Sequence, residues 1–225
     1  MNILIFDTST SVEFVILSTN NDVRIKIKHA SSDHSALLFE NIHALLDEVK
    51  LSISEINAIA VGIGPGSFTG IRIAVSTARM LAQVLSIPLV GIKTHEMFAE
   101  SAADNEGSYV LVAFDAKKKR VFGALYRIEN GNAHEVVSCG DYAIETLLNS
   151  CPIDARLCAI GNGAQNYFEQ ITATIKNTVL LSEFTLDAKK ISDMIIRKLE
   201  KDGSFDYKSV VPFYARKPDA VSPAT

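Results

Sequence analysis

A short apolar run ending in an aspartate occurs twice in this chain, and that repetition constrains the fold more than any single motif. Asn2, Ile3, Leu4, Ile5 and Phe6 precede Asp7, and Tyr109, Val110, Leu111, Val112, Ala113 and Phe114 precede Asp115. Unbroken apolar runs of this length predict strands buried on both faces. Each is followed by a polar turn and a second apolar run, at residues 14–17 and 121–128. In the first half a third strand is predicted over 23–28, where Val23, Ile25 and Ile27 alternate with Arg24, Lys26 and Lys28. In the second half Ala133 to Val137 predicts its counterpart after Asn130 and Gly131. Helix, strand, helix, strand, helix completes the first unit, and the second follows a similar course.

Two copies of one mixed α/β unit is therefore the expected architecture. The polar stretch Asn105, Glu106, Gly107, Ser108 marks the boundary, giving lobes at 1–104 and 105–225. The last segment is expected to pack back on the first lobe.

Residues 62–72 (GIGPGSFTGIR) join the apolar run Ala58 to Val61 to the next helix. Backbone N–H groups at a helix start can cradle an anion, with Arg72 adding charge. A tight strand-to-helix turn with close backbone packing explains the same glycines. No Lys-Ser/Thr pair follows the last glycine, so this is no Walker A loop. Ser67 or Thr69 is expected to cap the helix. In that helix Gly70, Ala74, Ala78 and Ala82 recur every fourth residue as a ridge of small side chains. Apolar residues flank the ridge on both sides, leaving only a narrow polar stripe at Arg72, Ser76, Arg79 and Gln83. Such a helix is expected to be covered on more than one side. An amphipathic helix, capped by Ser31, Ser32 or Asp33, is predicted before it, with Leu37, Leu38, Ile42, Leu45, Leu46 and Val49 on one face.

A net charge of −4 provides no bulk attraction to nucleic acid or anionic membranes. The one dense basic run, Lys117, Lys118, Lys119 and Arg120, reads as a local patch or as a solvated turn. Cys139, Cys151 and Cys158 lack metal-ligand spacing and read as reduced thiols of a cytoplasmic protein. His34 and His43 are not at the i, i+4 spacing that places two imidazoles on one metal. No membrane-length apolar run and no signal h-region is present, so no membrane association is expected.

The strand-ending aspartate in each half resembles the actin, sugar kinase and Hsp70 superfamily, and so implies a two-lobed, duplicated actin-like/RNase H-like fold with mixed sheets flanked by helices. Ile5-Phe6-Asp7-Thr8-Ser9, the stretch from Gly64 to Ile73, and Pro212-Phe213-Tyr214-Ala215-Arg216 resemble the bacterial TsaB (YeaZ) family over nearly the whole chain. That resemblance implies a subunit of the machinery making threonylcarbamoyladenosine in the anticodon loop of tRNAs that read codons beginning with adenine. It further implies a TsaD-like catalytic partner, a TsaE-like ATPase, and homodimerisation when the chain is alone, with tRNA reached only through the complex.

The catalytic relatives hold a metal with two histidines at i and i+4. Thr94 and Phe98 stand at the corresponding positions here, with His95 between. Neither side chain replaces an imidazole, so neither a metal site nor a catalytic residue is expected. Thr94 is expected instead to cap its helix. Asp7, Thr8, Ser9, Gly66 and Asp115 form the expected vestige of a nucleotide site, weakened by Ala116 and three lysines where close phosphate approach would favour glycine. Gly161 to Asn166 resembles the superfamily's adenosine loop. No cofactor is expected. The partner interface is expected at Leu38, Ile42, Leu45, Ile73, Thr77, Met80 and Val84. Competing readings are a free-standing Mg-ATP-binding kinase or ATPase, and a peptidase, for which the sequence lacks both a paired-His motif and a nucleophile elbow.

Overall fold

The computed structural model describes residues 1–29, 34–103, 106–183, 186–201 and 206–216. The first sheet contains β1 (Ile3–Asp7), β2 (Val12–Ser18), β3 (Val23–His29), β4 (Ala58–Gly62) and β5 (Leu89–Ile92) in the order β3-β2-β1-β4-β5. The second contains β6 (Tyr109–Asp115), β7 (Val121–Glu129), β8 (Asn132–Tyr142), β9 (Leu157–Ile160) and β10 (Thr178–Leu181) in the order β10-β9-β6-β7-β8. Read from the other edge, the second order repeats the first. β1 pairs antiparallel with β2 and parallel with β4, and β6 pairs antiparallel with β7 and parallel with β9. The duplication expected from the two aspartate-ending runs is thus a duplication of strand order and direction.

Side-chain alternation along these strands sorts the core into layers. From β1, Leu4 and Phe6 point to one face and join Leu38, Ile42 and Leu45 of α1 (His34–Val49) with Ile71, Ala74, Ala78 and Ala82 of α2 (Phe68–Leu85). Ile3 and Ile5 point to the other face, which is shared with α3 (Thr94–Ser101) and with Val110, Val112 and Phe114 of the second sheet. Outside the second sheet lie α4 (Ile144–Leu148), α5 (Asn162–Asn166) and α6 (Phe168–Thr174), over Leu111, Ala113 and Leu125. The α7 helix (Ala188–Lys201) belongs to the second half yet packs beside α3 between the sheets, where Ser192 Oγ donates to Ser18 Oγ at 2.6 Å. Phe98 sits edge-on to both Phe14 and Phe114, with ring centroids 6.1 and 5.2 Å apart. Burying rings and branched chains of this size contributes about 1.5–3 kcal/mol each, so the lobes share a core as well as a boundary.

Local chemistry accounts for most element ends. Ser67 Oγ accepts from Gly70 N at 3.3 Å at the start of α2, as expected. A short 3₁₀ turn, Ile53–Glu55, carries the capping box of Ser52 and Glu55. The Ser31, Ser32, Asp33 cap lies outside the described residues, as does the boundary between 104 and 105. Thr94 departs from expectation: the residue at the cap position of α3 is Lys93, without a side-chain cap bond, and the Thr94 hydroxyl is engaged elsewhere. All three cysteines are buried and none forms a disulfide, and burial pushes the Cys151 thiol up to about 11.

Candidate functional site

The β1–β2 turn carries the first set of expected site residues, and the loop after β4 closes around it. Asp7 is wholly buried; its carboxylate accepts from Ser9 N at 2.6 Å and from the Thr94 hydroxyl at 2.5 Å. The same Thr94 oxygen lies 2.8 Å from Ser9 Oγ and accepts from Gly64 N at 3.2 Å. Burial raises the Asp7 pKa, and its hydrogen bonds from Ser9 and Thr94 offset only part of that rise.

Ser67 N donates to Ser9 O at 2.7 Å, and Thr8 Oγ1 donates to Gly70 O at 2.7 Å. A Cβ placed on Gly66 would lie 2.0 Å from Ser9 O, and one on Gly70 would lie 1.9 Å from Thr8 O. These glycines bring two stretches of backbone together, and the polar groups of Asp7, Thr8 and Ser9 are taken up by each other, by Thr94 and by the backbone at the start of α2. Of the two readings of the loop, close packing is the one this geometry serves.

The equivalent turn in the second sheet is open. Asp115 accepts from Lys117 N at 2.8 Å and Lys117 Nζ at 2.6 Å, and the lysine bond holds its pKa below the usual carboxylate range. Asp115 N donates to Asn162 Oδ1 at 2.8 Å, tying the turn to the start of α5. Lys117, Lys118 and Lys119 are exposed and have φ of 58°, 53° and 58°. Three consecutive left-handed lysines cost on the order of 1–2 kcal/mol each. Between the lobes, Ser11, Val12 and His29 face Gly161, Asn162, Gln165 and Glu183 across a cleft of about 450 Å³. The Ser11 hydroxyl donates to Glu183 across it. Asp7 is not among the residues lining the cleft.

The positions matched to a metal-binding histidine pair do not fit a metal. Thr94 is buried and hydrogen-bonded to Asp7, and Phe98 is a core ring. His95 between them is buried, its Nε2 2.8 Å from Phe122 O. A carbonyl only accepts, so Nε2 carries the proton and donates, and burial lowers the pKa to about 4. The ring joins α3 to β7 as a neutral group. Among the described residues no cluster of three His, Cys, Asp or Glu side chains could hold a metal ion.

The expected interface residues separate into two groups. Leu38, Ile42, Leu45 and Thr77 are buried within the chain, and the small ridge of α2 lies against the chain's own sheet. The correction has a simple cause: the most regular apolar stripe of each helix is the one its own core requires. Met80 and Val84 are 48% and 75% exposed, and Ile73 is half-buried. Two exposed rings that helical spacing did not single out accompany them, Phe39 on α1 and Phe68 at the start of α2, 45% and 41% exposed.

A strap formed by residues 210–216 borders this face. Phe213 N donates to Ile63 O at 2.8 Å, Tyr214 packs on Phe68 with centroids 5.0 Å apart, and the Tyr214 hydroxyl accepts from Arg72 Nε at 3.1 Å. The Arg72 guanidinium lies 3.7 Å from the centre of the Phe68 ring. Two residues on, Arg216 crosses to the second sheet, donating to Asp141 Oδ2 at 2.6 Å and to Ala116 O at 2.9 Å. Asp141 also accepts from Arg120 at 2.6 Å. The Pro212 to Arg216 motif thus touches both halves of the molecule.

A duplicated five-stranded α/β unit whose first turn is filled by its own side chains defines the class of fold. Residues 25–220 match the family model described as TsaD: tRNA N6-adenosine threonylcarbamoyltransferase, and the chain belongs to that family. Its curated relatives include proteins named tRNA threonylcarbamoyladenosine biosynthesis protein TsaB. That of Escherichia coli is 35% identical over 136 residues, 60% of this chain and 59% of the relative. That of Bacillus subtilis is 25% identical over 222 residues, 98% of this chain and 96% of the relative. The match therefore spans about three fifths of the first relative's length and nearly all of the second's. A crystal structure of a Pseudomonas aeruginosa protein described as similar to peptidase YeaZ superposes with a TM-score of 0.83 at 25% identity, covering 96% of this chain and 99% of that one. YeaZ from the same organism gives 0.78 at 24% identity, a likeness of fold.

Proposed function

We propose that the chain is a noncatalytic partner subunit of the assembly that places threonylcarbamoyl on N6 of adenosine in tRNA. It docks the outer face of α2, with Phe39 of α1, onto a larger TsaD-like catalytic subunit. A TsaE-like ATPase joins the pair, and tRNA is reached through the complex in the cytoplasm. Without its partner the same face joins two copies of the chain. The lobes in this reading are residues 1–104 and 105–225, held as one unit by the strap.

The observation that carries the reading is the set of exposed apolar side chains Phe68, Met80 and Val84 on one helix, with exposed Phe39 on α1, the helix that shares its core. A soluble subunit gains nothing from large apolar groups in water, whereas a partner helix gains about 25 cal/mol for each Å² covered. The sealing of Asp7 and the core placement of Thr94 and Phe98 support the noncatalytic part. Met80→Asp combined with Val84→Asp puts two charges on this face without touching the core. Mixed with a TsaD-like subunit in light scattering, the variant should bind at least about 100-fold more weakly than wild type, since each uncompensated charge at an interface centre costs about 2 kcal/mol or more. Its melting curve should match wild type. Unchanged association would remove α2 from the interface. The interlobe cleft favours a second reading, a free-standing Mg-ATP-binding kinase or ATPase. It offers room for an adenosine without the Asp7 carboxylate that such chemistry would use.

A further inference from the structure

We propose that Asn130 is a deamidation site of the folded chain, and that the Glu106 carboxylate, which ties the β7–β8 turn to the segment leading into β6, sets the rate at which it reacts.

The chain holds two Asn-Gly pairs, Asn130-Gly131 and Asn162-Gly163. In such a pair the glycine nitrogen, once it has given up its proton, can attack the side-chain carbonyl carbon of the asparagine. The new bond from that nitrogen to Cγ closes a succinimide ring, and the side-chain nitrogen leaves as ammonia. Water then opens the ring at either carbonyl, giving aspartate or, with an added methylene in the main chain, isoaspartate. The reaction needs an available glycine N–H, room for the ring and access for water. Glycine favours it because no Cβ hinders the approach.

The structure separates the two pairs on these requirements. A Cβ built on Gly163 would lie 2.8 Å from Ala113 O and 2.8 Å from the Phe114 carbonyl carbon, whereas one built on Gly131 meets nothing within 4 Å. Gly163 is buried, and Asn162 Oδ1 accepts from Asp115 N at 2.8 Å, which fixes the side chain that would have to turn. Asn130 and Gly131 are both exposed, at the tip of the hairpin between β7 and β8. Identical dipeptides thus differ in chemistry: one is packed shut, and the other is open to ring closure and to water.

One restraint remains at the open pair. Glu106 Oε1 accepts from Asn130 N at 3.1 Å, and Glu106 Oε2 accepts from Gly131 N at 3.4 Å. Both turn residues are left-handed, with φ of 52° and 71°, and their amides converge on this one carboxylate. The bond to Gly131 occupies the nucleophile itself, and a negative charge beside it makes its proton harder to remove. Next to Glu106, Gly107 N donates to Ile128 O at 2.8 Å, so the clamp joins the turn to the start of the second sheet. Conversion of Asn130 places a new carboxylate on a residue whose N–H Glu106 holds. Like charges repel, so the product loosens the clamp that slowed its formation.

The test incubates the folded, full-length chain at neutral pH and physiological temperature. Digestion and mass spectrometry then read the mass gain of acid over amide, and chromatography separates aspartate from isoaspartate. Asn130 should convert at least about tenfold faster than Asn162, whose reaction has to wait for opening of a packed region. In urea the two should convert alike. Glu106→Ala should speed Asn130 about tenfold, as expected for release of charge-assisted hydrogen bonds at an exposed turn. Glu106→Gln, which keeps an acceptor without the charge, should fall between. Absence of conversion at Asn130, equal folded-state rates at the two pairs, or a rate at Asn130 that Glu106→Ala leaves unchanged would overturn the proposal. So would equal acceleration of both asparagines in the Glu106 variant, which would mark loss of the fold rather than release of one amide.

Discussion

Asp7 closes β1 and Asp115 closes β6 at equivalent points of the two sheets, yet one carboxylate is walled in and the other meets water. Around Asp7, a loop arriving from β4 supplies the close-packed Gly66 and Gly70, and Thr94 supplies a hydroxyl; burial drives the pKa up. Around Asp115 the loop after β9 also packs close, with Gly161 and Gly163 against the Ala113 carbonyl, but it leaves the carboxylate to an exposed lysine, and the pKa goes down. Duplication has preserved the backbone path and let the chemistry diverge. A strand-ending aspartate marks the fold in both lobes, and its neighbours decide what it does.

The sharpest way to break the first turn is Gly70→Ala. Its Cβ would lie 1.9 Å from the Thr8 carbonyl oxygen, and backbone cannot retreat as a flexible side chain would. A loss of at least about 4 kcal/mol in urea unfolding is expected; wild-type stability would mean that the two loops are not interlocked. Next comes the pair of aspartates. Asp7→Ala leaves the Ser9 amide and Thr94 hydroxyl without their buried acceptor and should cost about 3 kcal/mol. Asp115→Ala removes a largely exposed ion pair and should cost under about 1 kcal/mol. Equal losses in parallel denaturation curves would erase the contrast between the turns.

A smaller effect sharpens it. Glu13 on β2 is fully buried near Asp7, beside Asn41 of α1 and paired in register with Lys28 of β3, both of which draw its pKa down against the effect of burial. Burial pushes its pKa from an ordinary 4.5 up to about 7. Below about pH 4.5 the group is protonated in both folded and unfolded chains, and its contribution is at its greatest. Between there and about 7 the unfolded chain releases the proton and the folded chain keeps it, so stability falls as pH rises. From pH 5 to 8 wild type should lose about 2 kcal/mol more than Glu13→Gln, measured as the shift in urea midpoint. Parallel pH profiles would dissociate Glu13 from that loss.

Much of this architecture was legible in the sequence because it is written in short-range periodicity. The apolar runs at β1 and β6, the alternation of β3 and the caps of α2 and the 3₁₀ turn all follow from neighbours a few residues apart. The functional detail is written at long range. The Thr94 hydroxyl finds Asp7 across 87 positions, and Arg216 finds Asp141 across 75; local spacing carries no record of either. The exposed apolar side chains of α1 and α2 were legible only in part: Met80 and Val84 were singled out, Phe39 and Phe68 were not. Helical periodicity selected Leu38, Ile42 and Leu45, which the chain's own sheet claims, while Phe39 and Phe68 stand off the stripe. An exposed ring out of phase with a helix's apolar period was the available signal.

The placement of α7 also sets an order of events during synthesis. The inner face of the first sheet, with Ile5, Phe14 and Ile16, shares its core with Ile191 and Ile195, and Ser18 meets a hydroxyl made 174 residues later. A nascent first lobe therefore emerges from the ribosome with one side of its sheet covered only by α3, and it waits while the second sheet is translated. Contacts of such long sequence separation slow folding and prolong the exposure of apolar surface. A chaperone that holds this chain would find its binding surface on β1 and β2, and would release it when α7 arrives.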